Sequence, residues 1–390
     1  KNVICFAGKS FLTMAMCKIV EEEGYNLDVA SMGELFVGLK AGFPRKRINL
    51  HGNNKSREEL QFALKSKIGH IVVDNFLEIE MLRELTLGHK KQTSVLVRCS
   101  PGVDPHTHKA ISTGQADTKF GFNIKDGSAL EGIRQISEIP GLHFDGIHCH
   151  VGSQLLDNDS HLTAIDAMID LMASVKKNIG LDCAVVNIGG GLGVRYLEEH
   201  NPPSAEEFAE SLVGQLITRL DKHVLGRPVL QQEPGRSIVA EAGTTLYTVG
   251  SIKTVPIKEA PKKRTYVSVD GGLSDNPRPQ LYEAEYSVLA ANRMNDAAEK
   301  VVTVAGKHCE TDTLFRDVKV PDLAPGDILA VQTTGAYNHV MASNYNKLQR
   351  PAVVLVNNGR AEVIVERETL AEIIKRERIP ARLAGKSKRK

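Results

Sequence analysis

Short apolar runs alternate with amphipathic, helix-length segments from the start of the chain to about residue 236. The apolar runs predict eight strands, at residues 3–7, 27–31, 48–52, 70–75, 94–100, 144–151, 184–189 and 229–233. Helical periodicity lies between them, for example at 57–65, 77–85, 162–177 and 205–221. Such alternation indicates parallel strands joined by right-handed crossovers. Eight units in roughly 235 residues favour a closed (β/α)8 barrel of the TIM type over an open sheet.

The pattern changes after about residue 243, where turn residues separate β-rich segments. These segments lie at residues 245–255, 264–270, 301–304, 327–332, 352–357 and 361–365. They predict a second, mostly antiparallel β domain, followed by a short helix at 370–378 and a basic, frayed tail at 386–390. The predicted domains are a barrel over residues 1–242 and a β domain over residues 243–390.

Composition and charge exclude several classes of protein. The 390 residues are 42% apolar, which is enough for two domains with sizeable cores. A formal net charge of +2 gives no strong field for nucleic acid or an anionic membrane. The six cysteines form no CxxC pair, so we expect no metal site and no disulfide framework, but the reduced thiols of a cytoplasmic enzyme. No apolar run approaches the roughly 20 residues that span a bilayer, and no signal peptide is visible.

Barrel enzymes carry their reactive groups at the carboxyl ends of the strands. Polar residues and glycines are concentrated at those ends in this chain. They are Lys9, Asp28, Ser31, His51, Gly52, Asn53, Asn54, Asp74, Asn75, Arg98, His148, Cys149, His150, Gly189, Gly190, Gly191, Glu233, Pro234, Gly235 and Arg236. We therefore expect these residues to share one mouth of the barrel.

Lys9 ends the first apolar run, and a helical pattern at 10–23 follows at once. A charged amine at the end of a buried strand is costly unless it has a partner or a task. One interpretation is a lysine that binds an aldehyde cofactor as a Schiff base. The other is an ordinary lysine at a helix start, whose amine reaches solvent. The residues at the other strand ends favour the first interpretation.

Two glycine motifs follow the seventh and eighth strands, the triplet at 189–191 and Gly235 with Arg236. Their backbone N–H groups can bind an anion because no side chain obstructs them. Phosphate sites of TIM barrels are typically built at these two positions. The motifs therefore indicate a phosphorylated ligand. Glu233 could keep a pyridine nitrogen protonated, or it could form an ordinary salt bridge to a barrel lysine or arginine.

His148 and His150 lie two residues apart on the sixth strand, so their side chains share one of its faces. We expect one of them in the barrel mouth, where an imidazole can stack on a planar ring. Ser153 follows closely in the chain and can add a hydroxyl group to the cofactor site.

Together these motifs resemble those of the alanine-racemase-like, fold-type III pyridoxal-phosphate decarboxylases. The resemblance runs from residues 6–9 to residues 345–346, through motifs at 51–56, 119–121, 150–154, 189–193, 233–236, 275–282, 308–310 and 334–337. It implies a homodimeric enzyme that uses pyridoxal 5'-phosphate. The nearest match is to members that decarboxylate meso-2,6-diaminopimelate to L-lysine and CO2, the last step of lysine biosynthesis.

The resemblance also implies roles around the cofactor. Lys9 would hold the cofactor aldehyde, His150 would stack on the ring, and Asp28 would orient His150. Glu233 would face the pyridine nitrogen. The residues implied to bind the remaining cofactor atoms, chiefly the phosphate, are Ser153, Gly191, Gly235, Arg236 and Tyr337.

For the substrate, the resemblance implies that Arg236, Arg278 and Tyr282 hold the far carboxylate, and Tyr337 also belongs to the substrate site. A guanidinium grips a carboxylate in bidentate fashion. A diamino monoacid such as ornithine would leave Arg278 unpaired at a real cost. Asp270 and Asp275 lie nearby and could suit a distal amine instead, so decarboxylation of ornithine, lysine or carboxynorspermidine remains an alternative.

The resemblance implies that Glu310 binds the far ammonium and that Cys309 returns a proton to the α-carbon after CO2 leaves. Both would come from the partner subunit of the dimer, and the catalytic residues would be Lys9, His150 and Cys309. In the family this Cys-Glu pair is usually followed by a small residue, a glycine and an aspartate. Here Thr-Asp follows at 311–312, so the loop is one residue shorter. The direction in which the Cys309 thiol points is therefore left open.

The sequence disfavours two other functions. An alanine-racemase-type reaction would not need Cys309, Glu310 or Arg278. A non-catalytic relative that regulates an active enzyme would be expected to have lost Lys9 or Cys309, and both are present.

Overall fold

The computed structural model describes residues 1–103, 117–257 and 262–384. The basic tail predicted at 386–390 lies outside this range. Within the described residues, no helix combines the length and the apolar character that crossing a bilayer requires.

Parallel strands close into a barrel in the first part of the chain. The strands are β1 (Asn2–Ala7), β2 (Asn26–Val29), β3 (Ile48–Leu50), β4 (His70–Val73), β5 (Thr93–Ser100), β6 (Phe122–Asn123), β7 (Leu142–His148), β8 (Val185–Asn187) and β9 (Val229–Gln232). The ring closes because β1 pairs with both β2 and β9, and β4 pairs with β5. The short β6 adds to β5 outside the ring. The predicted (β/α)8 barrel is confirmed.

Helices connect the strands. They are α1 (Met14–Glu22), α2 (Met32–Lys40), α3 (Arg57–Ser66), α4 (Phe76–Leu85), α5 (Ser128–Ser137), α6 (Asp159–Asn178), α7 (Ala205–Lys222) and α8 (Arg236–Val239). Side chains fix several starts: Ser56 and Ser204 form capping boxes with Glu59 and Glu207. The start predicted for the first helix was wrong. Helix α1 begins after Thr13, whose hydroxyl accepts the Met16 N–H, while Gly8–Ser10 forms a separate 3-10 turn.

Most residues in the interiors of the barrel strands are apolar, although Asn49 in β3 and Asp145 in β7 are polar. Val72, Leu96 and Val185 form one buried cluster inside the barrel, with Val229 packed against it. Burying a side chain of this size stabilises the fold by about 1.5–3 kcal/mol relative to exposing it. This core holds the strand ends in register, so the side chains at the barrel mouth have fixed positions.

A second sheet contains six strands, β10 (Thr245–Pro256), β11 (Lys263–Val269), β12 (Val288–Ala290), β13 (Lys300–Ala305), β14 (Thr313–Val320) and β15 (Ile328–Val331). Their order is β12-β15-β10-β11-β13-β14. The β10–β11 and β13–β14 pairs are antiparallel, and β11–β13 is parallel. A separate antiparallel hairpin joins β16 (Val353–Asn357) to β17 (Arg360–Val365). The predicted β-rich character is confirmed.

Two short helices accompany this sheet, α9 (Arg278–Tyr282) and α10 (Leu370–Ile374). The sequence pattern predicted α10 but extended it to residue 378, and it missed α9, β12 and β14. Alternation is weak in β12, which has three residues, and β14 carries three charged residues from its fourth position onward, Arg316, Asp317 and Lys319.

The chain forms two compact units that are discontinuous in sequence. Unit 1 comprises Lys1–Leu246, Glu285–Leu289 and Ala330–Val340. Unit 2 comprises Tyr247–Ala284, Ala290–Leu329 and the residues from Met341 onward. The two compact units thus alternate along the chain. The domain boundary between residues 242 and 243 stays a prediction.

A buried ion pair joins two of the barrel loops. The Lys55 Nζ lies 2.9 Å from Glu78 Oε2, and both side chains are almost fully buried. Glu78 also accepts the backbone N–H groups of Lys55 and Asp74, at 3.2 and 2.9 Å. Burial lowers the pKa of Lys55, and the charge of Glu78 opposes that shift. The pair thus tethers the loop after β3 to the loop after β4.

Replacing Lys55 by Met should lower the free energy of unfolding of unit 1 by about 3–5 kcal/mol, because the Glu78 carboxylate is left buried without its partner. The double variant K55M/E78Q should recover part of that loss. The matched control is Arg57→Ala, which breaks the exposed pair with Glu84 and should cost less than about 1 kcal/mol. Urea unfolding measures all three, and equal losses for K55M and R57A would contradict the assignment.

Candidate active site

One cleft in unit 1 gathers part of the residues that the strand-end pattern singled out, together with Ser153 and Tyr337. Its lining comprises Ala7, Lys9, His150, Ser153, Gly190, Gly191, Leu192, Glu233, Gly235, Arg236 and Tyr337. The space in the cleft and at its opening to solvent amounts to about 340 Å3. The amine, the glycine triplet and the Glu-Pro-Gly-Arg corner therefore meet in one place.

Lys9 reaches the cleft through the 3-10 turn that ends β1. A Cβ at Gly8 would lie 2.8 Å from the carbonyl oxygen of Asp28, so the chain passes directly against β2 there. The Ser10 hydroxyl donates to the carbonyl of Ala7 at 2.8 Å and tightens the turn. Lys9 itself is exposed. The amine therefore does not carry the desolvation cost that a buried strand end suggested.

The glycine triplet brings the ends of β8 and β9 into backbone contact. A Cβ at Gly190 would lie 2.0 Å from the carbonyl oxygen of Glu233. Gly191 has φ +130°, and a Cβ there would lie 2.7 Å from the Gly152 carbonyl. Side chains at these positions would force the strands apart. The result is a wall of bare backbone facing the cleft, which fits an anionic group such as a phosphate.

Arg236 is buried and its guanidinium is held in one orientation. Nη1 donates to the Tyr196 hydroxyl at 2.6 Å, and Nη2 donates to the Ser153 hydroxyl at 2.9 Å. The guanidinium carbon also lies 4.8 Å from the centre of the Tyr337 ring. Arg236, Ser153 and Tyr337 were all predicted in the site, and the structure brings them together.

Tyr337 is placed by backbone contacts of its own segment. Its N–H donates to the Ser10 carbonyl at 2.9 Å, and the Gly335 N–H donates to the Ala240 carbonyl at 3.0 Å. A Cβ at Gly335 would lie 1.7 Å from the carbonyl oxygen of Val239. The segment therefore presses against α8 and delivers Tyr337 to the cleft.

Glu233 is surrounded by nitrogen atoms from three other strand ends. Asn187 Nδ2 donates to Oε1 at 2.6 Å. His148 Nε2 lies 3.1 Å from Oε1 and 3.2 Å from Oε2, and His51 Nε2 lies 3.3 Å from Oε1. The ligand atoms of His51, His148 and Glu233 lie within 4.8 Å of one another, a grouping that could also hold a metal ion. These contacts account for the position of Glu233 without the salt bridge to a barrel lysine or arginine that the sequence left open.

The electrostatics of this cluster keep the charge on the carboxylate. Burial tends to raise the pKa of Glu233, but its interactions with His148 and His51 outweigh burial, and the pKa falls below its ordinary value. Burial lowers the pKa of both His51 and His148 to about 4. At neutral pH the imidazoles are therefore neutral while Glu233 is ionised, so the cluster carries a net negative charge.

Asp28 lies at the edge of the same cluster. It accepts a hydrogen bond from Asn49 Nδ2 at 3.0 Å and lies 3.6 Å from His51 Nε2. Burial and the charge of Glu233 raise the pKa of Asp28. These contacts connect Asp28 to Glu233 through His51, and the orientation of His150 by Asp28 stays a prediction.

His150 lines the cleft directly after β7 and packs on the backbone of the glycine triplet. A Cβ at Gly189 would lie 2.8 Å from His150 Nδ1, which shows how closely the ring approaches. Burial lowers the pKa of His150 well below its ordinary value. The imidazole is thus neutral and can lie against a planar ring without adding a charge.

Four predicted site residues belong to unit 2. Arg278 begins α9, is 6% exposed, and its guanidinium carbon lies 5.8 Å from the centre of the Tyr282 ring. Cys309 is exposed, whereas the other five cysteines are buried. Glu310 accepts a hydrogen bond from the Tyr345 hydroxyl at 2.5 Å.

Sequence reasoning gave no role to three residues that shape the site, His51, Asn187 and Tyr196. His51 stood among the polar strand-end residues, and Asn187 ends β8, so the strand-end rule could have assigned both. Tyr196 lies in the loop after the glycine triplet, beyond any strand end, and no local pattern distinguishes it.

Comparison with known proteins agrees with this geometry. The family described as "Pyridoxal-dependent decarboxylase, pyridoxal binding domain" matches residues 1–240. Diaminopimelate decarboxylase of Bacillus subtilis is 45% identical over 96% of this chain and 84% of that protein. Diaminopimelate decarboxylase of Synechocystis sp. is 43% identical over 97% of this chain and 81% of that protein.

Solved structures give the same result. Diaminopimelate decarboxylase from M. jannaschii in complex with L-lysine superposes with a TM-score of 0.91 at 32% identity, covering 98% of this chain and 86% of that one. The enzyme from Helicobacter pylori complexed with L-lysine gives 0.87 at 30% identity, covering 96% of this chain and 90% of that one. The chain therefore belongs to the diaminopimelate decarboxylase family of pyridoxal-dependent decarboxylases.

Proposed function

We propose that this protein is a cytoplasmic enzyme that decarboxylates meso-2,6-diaminopimelate to L-lysine and CO2 with pyridoxal 5'-phosphate. The observation that carries the proposal is the single cleft in which the Lys9 amine, the bare glycine backbone and the Glu233 carboxylate meet. The relatives named above, two of them with L-lysine bound, support the choice of substrate.

The cleft has a suitable group for each part of the cofactor. Lys9 provides an exposed amine for the aldehyde, and the glycine wall with Gly235 provides the surface for the phosphate. His150 provides a neutral ring for the pyridine face, and Glu233 an ionised carboxylate for the ring nitrogen. When bound, pyridoxal phosphate supplies a protonated pyridine ring that accepts the electron pair left behind when CO2 departs.

The cluster around Glu233 suits that task. Asn187 and His148 donate to the carboxylate, and the imidazoles remain neutral because burial lowers their pKa values to about 4. Neutral donors orient the carboxylate without cancelling its charge. An ionised Glu233 can then hold a proton on the nitrogen opposite it.

Substrate selection is assigned to unit 2. Arg278 and Tyr282 lie together at α9 and suit the far carboxylate, since a guanidinium binds a carboxylate through two parallel hydrogen bonds. The two nearby acids are engaged locally: Asp275 accepts from the Tyr247 hydroxyl and the Gly272 N–H, and Asp270 accepts from the Thr248 N–H. That engagement disfavours a distal-amine site there, and with it ornithine or lysine as substrate.

The remaining groups are Cys309 and Glu310. Cys309 returns a proton to the α-carbon, and Glu310 binds the far ammonium, in an active site shared between the two subunits of a homodimer. The exposure of Cys309 supports this role, because a thiol that serves a second subunit must be accessible. A thiol can supply a proton at neutral pH.

Lys9→Ala should abolish the visible absorbance band of the protein with its cofactor, because the amine that binds the aldehyde is gone. Lys18→Ala is the matched control, since Lys18 is also exposed and forms a surface pair with Glu21. Borohydride should fix the label on Lys9 in the wild-type chain and in K18A. A label on another lysine, or a colourless wild-type protein, would refute the cofactor site.

Arg278→Ala should raise the KM for meso-diaminopimelate by about tenfold to a hundredfold, the loss expected for hydrogen bonds between charged groups. The KM of the Arg278→Lys variant should lie between those of the wild type and of R278A, because an ammonium cannot form the bidentate pair. Arg316→Ala, a change at an exposed arginine of the same unit, should leave the KM unchanged.

Release of CO2 from meso-diaminopimelate and from ornithine is measured for each of these variants. A wild-type enzyme that is faster on ornithine would overturn the substrate assignment. An unchanged KM for the R278A variant would remove Arg278 from the carboxylate site.

Mixing Lys9→Ala and Cys309→Ala chains should restore about a quarter of the wild-type activity, because half of the dimers are mixed and each holds one intact site. Each variant alone should be inactive. Differently tagged chains, purified in tandem, establish that mixed dimers form. Mixed dimers without activity would argue that each site is built from one chain.

A further inference from the structure

The segment around Tyr345 and Asn346 contacts both members of the Cys309–Glu310 pair. The Tyr345 hydroxyl donates to Glu310 Oε1 at 2.5 Å. The Asn346 side-chain oxygen accepts the backbone N–H of Cys309 at 3.0 Å. Tyr345 therefore holds the side chain of Glu310, and Asn346 holds the backbone of Cys309.

The conformation of this segment is fixed by its own hydrogen bonds. Asn346 and Lys347 have φ values of 51° and 58°, in the left-handed region that asparagine tolerates better than most residues. The Lys347 N–H donates to Asn344 O at 2.8 Å, and the Leu348 N–H donates to Tyr345 O at 3.1 Å. The Asn344 side chain also donates to Leu348 O at 3.0 Å. The turn is thus stabilised by hydrogen bonds within its own segment, in addition to its contact with Cys309.

The opposite side of the Cys309 loop is anchored by Asp312. Asp312 Oδ2 accepts both the backbone N–H of His308, at 3.1 Å, and its ring Nδ1, at 2.6 Å, and both side chains are buried. Asp312 Oδ1 accepts the Leu273 N–H at 2.9 Å. Asp312 has φ 39°, so the aspartate itself adopts the left-handed backbone conformation in the shortened loop. The loop is closed without the missing glycine.

The two anchors are connected through a ring contact. The His308 ring stacks on the Tyr345 ring, with centroids 5.5 Å apart and planes 12° apart. The hydrogen bond to Glu310 raises the pKa of Tyr345, so the hydroxyl keeps its proton and continues to donate. Tyr345 is thus held at its ring by His308 and directed at its tip to Glu310.

We propose that Tyr345 and Asn346 are positioning residues that together set the spacing between the proton donor Cys309 and the ammonium-binding carboxylate of Glu310. This inference rests on the proposed function. Cys309 acts at the carbon that loses CO2, and Glu310 acts at the far amine. The distance between the Cys309 thiol and the Glu310 carboxylate must therefore match the length of the substrate. The contacts with Tyr345 and Asn346 fix that distance.

The two contacts have separable consequences. Tyr345 occupies Oε1 of Glu310 and leaves Oε2 to the substrate ammonium, so losing the hydroxyl weakens substrate binding. Asn346 fixes the backbone that carries the thiol, so losing its acceptor misplaces the proton donor. The first loss should appear in KM, and the second in kcat.

Three variants test this division. Tyr345→Phe removes only the hydroxyl and should raise the KM for meso-diaminopimelate about fivefold to tenfold, with kcat within about twofold of wild type. Asn346→Gly keeps the left-handed backbone accessible but removes the acceptor, and should lower kcat at least about tenfold. Asn346→Asp retains an acceptor and should restore kcat to within about threefold of wild type.

Alkylation of Cys309 by iodoacetamide gives a second readout that needs neither substrate nor cofactor. Cys309 is the one exposed thiol among the six, all of which are in described parts of the chain. Its alkylation rate should rise at least about threefold in Asn346→Gly and stay at the wild-type value in Tyr345→Phe and Asn346→Asp. Circular dichroism and thermal melting of each variant report whether the fold is intact.

The outcomes separate the two proposals. If wild-type protein releases no CO2 from meso-diaminopimelate, the proposed function fails, while the alkylation rates still decide whether Asn346 holds Cys309. If Y345F and N346G shift KM and kcat alike, or if neither parameter nor the alkylation rate changes, the positioning roles are overturned.

Discussion

The charge on Glu233 depends on the closure of the barrel more than any other feature of the site does. A carboxylate at the end of β9 would be costly to bury alone. It is stabilised because the ends of β3, β7 and β8 bring His51, His148 and Asn187 against it. None of these residues is near Glu233 in sequence. Only the closed ring of parallel strands brings all four residues together. The stability of the Glu233 charge therefore depends on the closure of the ring.

Close approach of backbone is the second constraint, and it explains where glycines are required. At Gly190 the strand ends touch so closely that any side chain would collide with the Glu233 carbonyl. The same contact that fixes Glu233 therefore creates the bare wall beside it. The carboxylate and the anion-binding surface are two consequences of one strand contact, which is why they lie on the same side of the cleft.

Much of the barrel and part of the site could be predicted from sequence. The period of the apolar runs defined the eight strands, and the strand-end rule then collected Lys9, His150 and Glu233, since both depend only on local pattern. What local pattern could not supply was contact between distant segments. Tyr196 holds Arg236 from a loop, and Tyr337 arrives from a segment almost a hundred residues beyond the barrel strands. The start of α1 was wrong for a simpler reason, since apolar periodicity does not reveal that Thr13 is the cap.

The interleaving of the two units has a consequence for how the chain is made. Unit 1 is completed only by Ala330–Val340, the segment in which Gly335 presses on α8 and Tyr337 binds the Ser10 carbonyl. On the ribosome, these residues are synthesised after two of the three segments of unit 2, Tyr247–Ala284 and Ala290–Leu329. The side of the cleft that Tyr337 forms is therefore synthesised about a hundred residues after the last barrel strand, and the cleft is complete only once this late segment has been made.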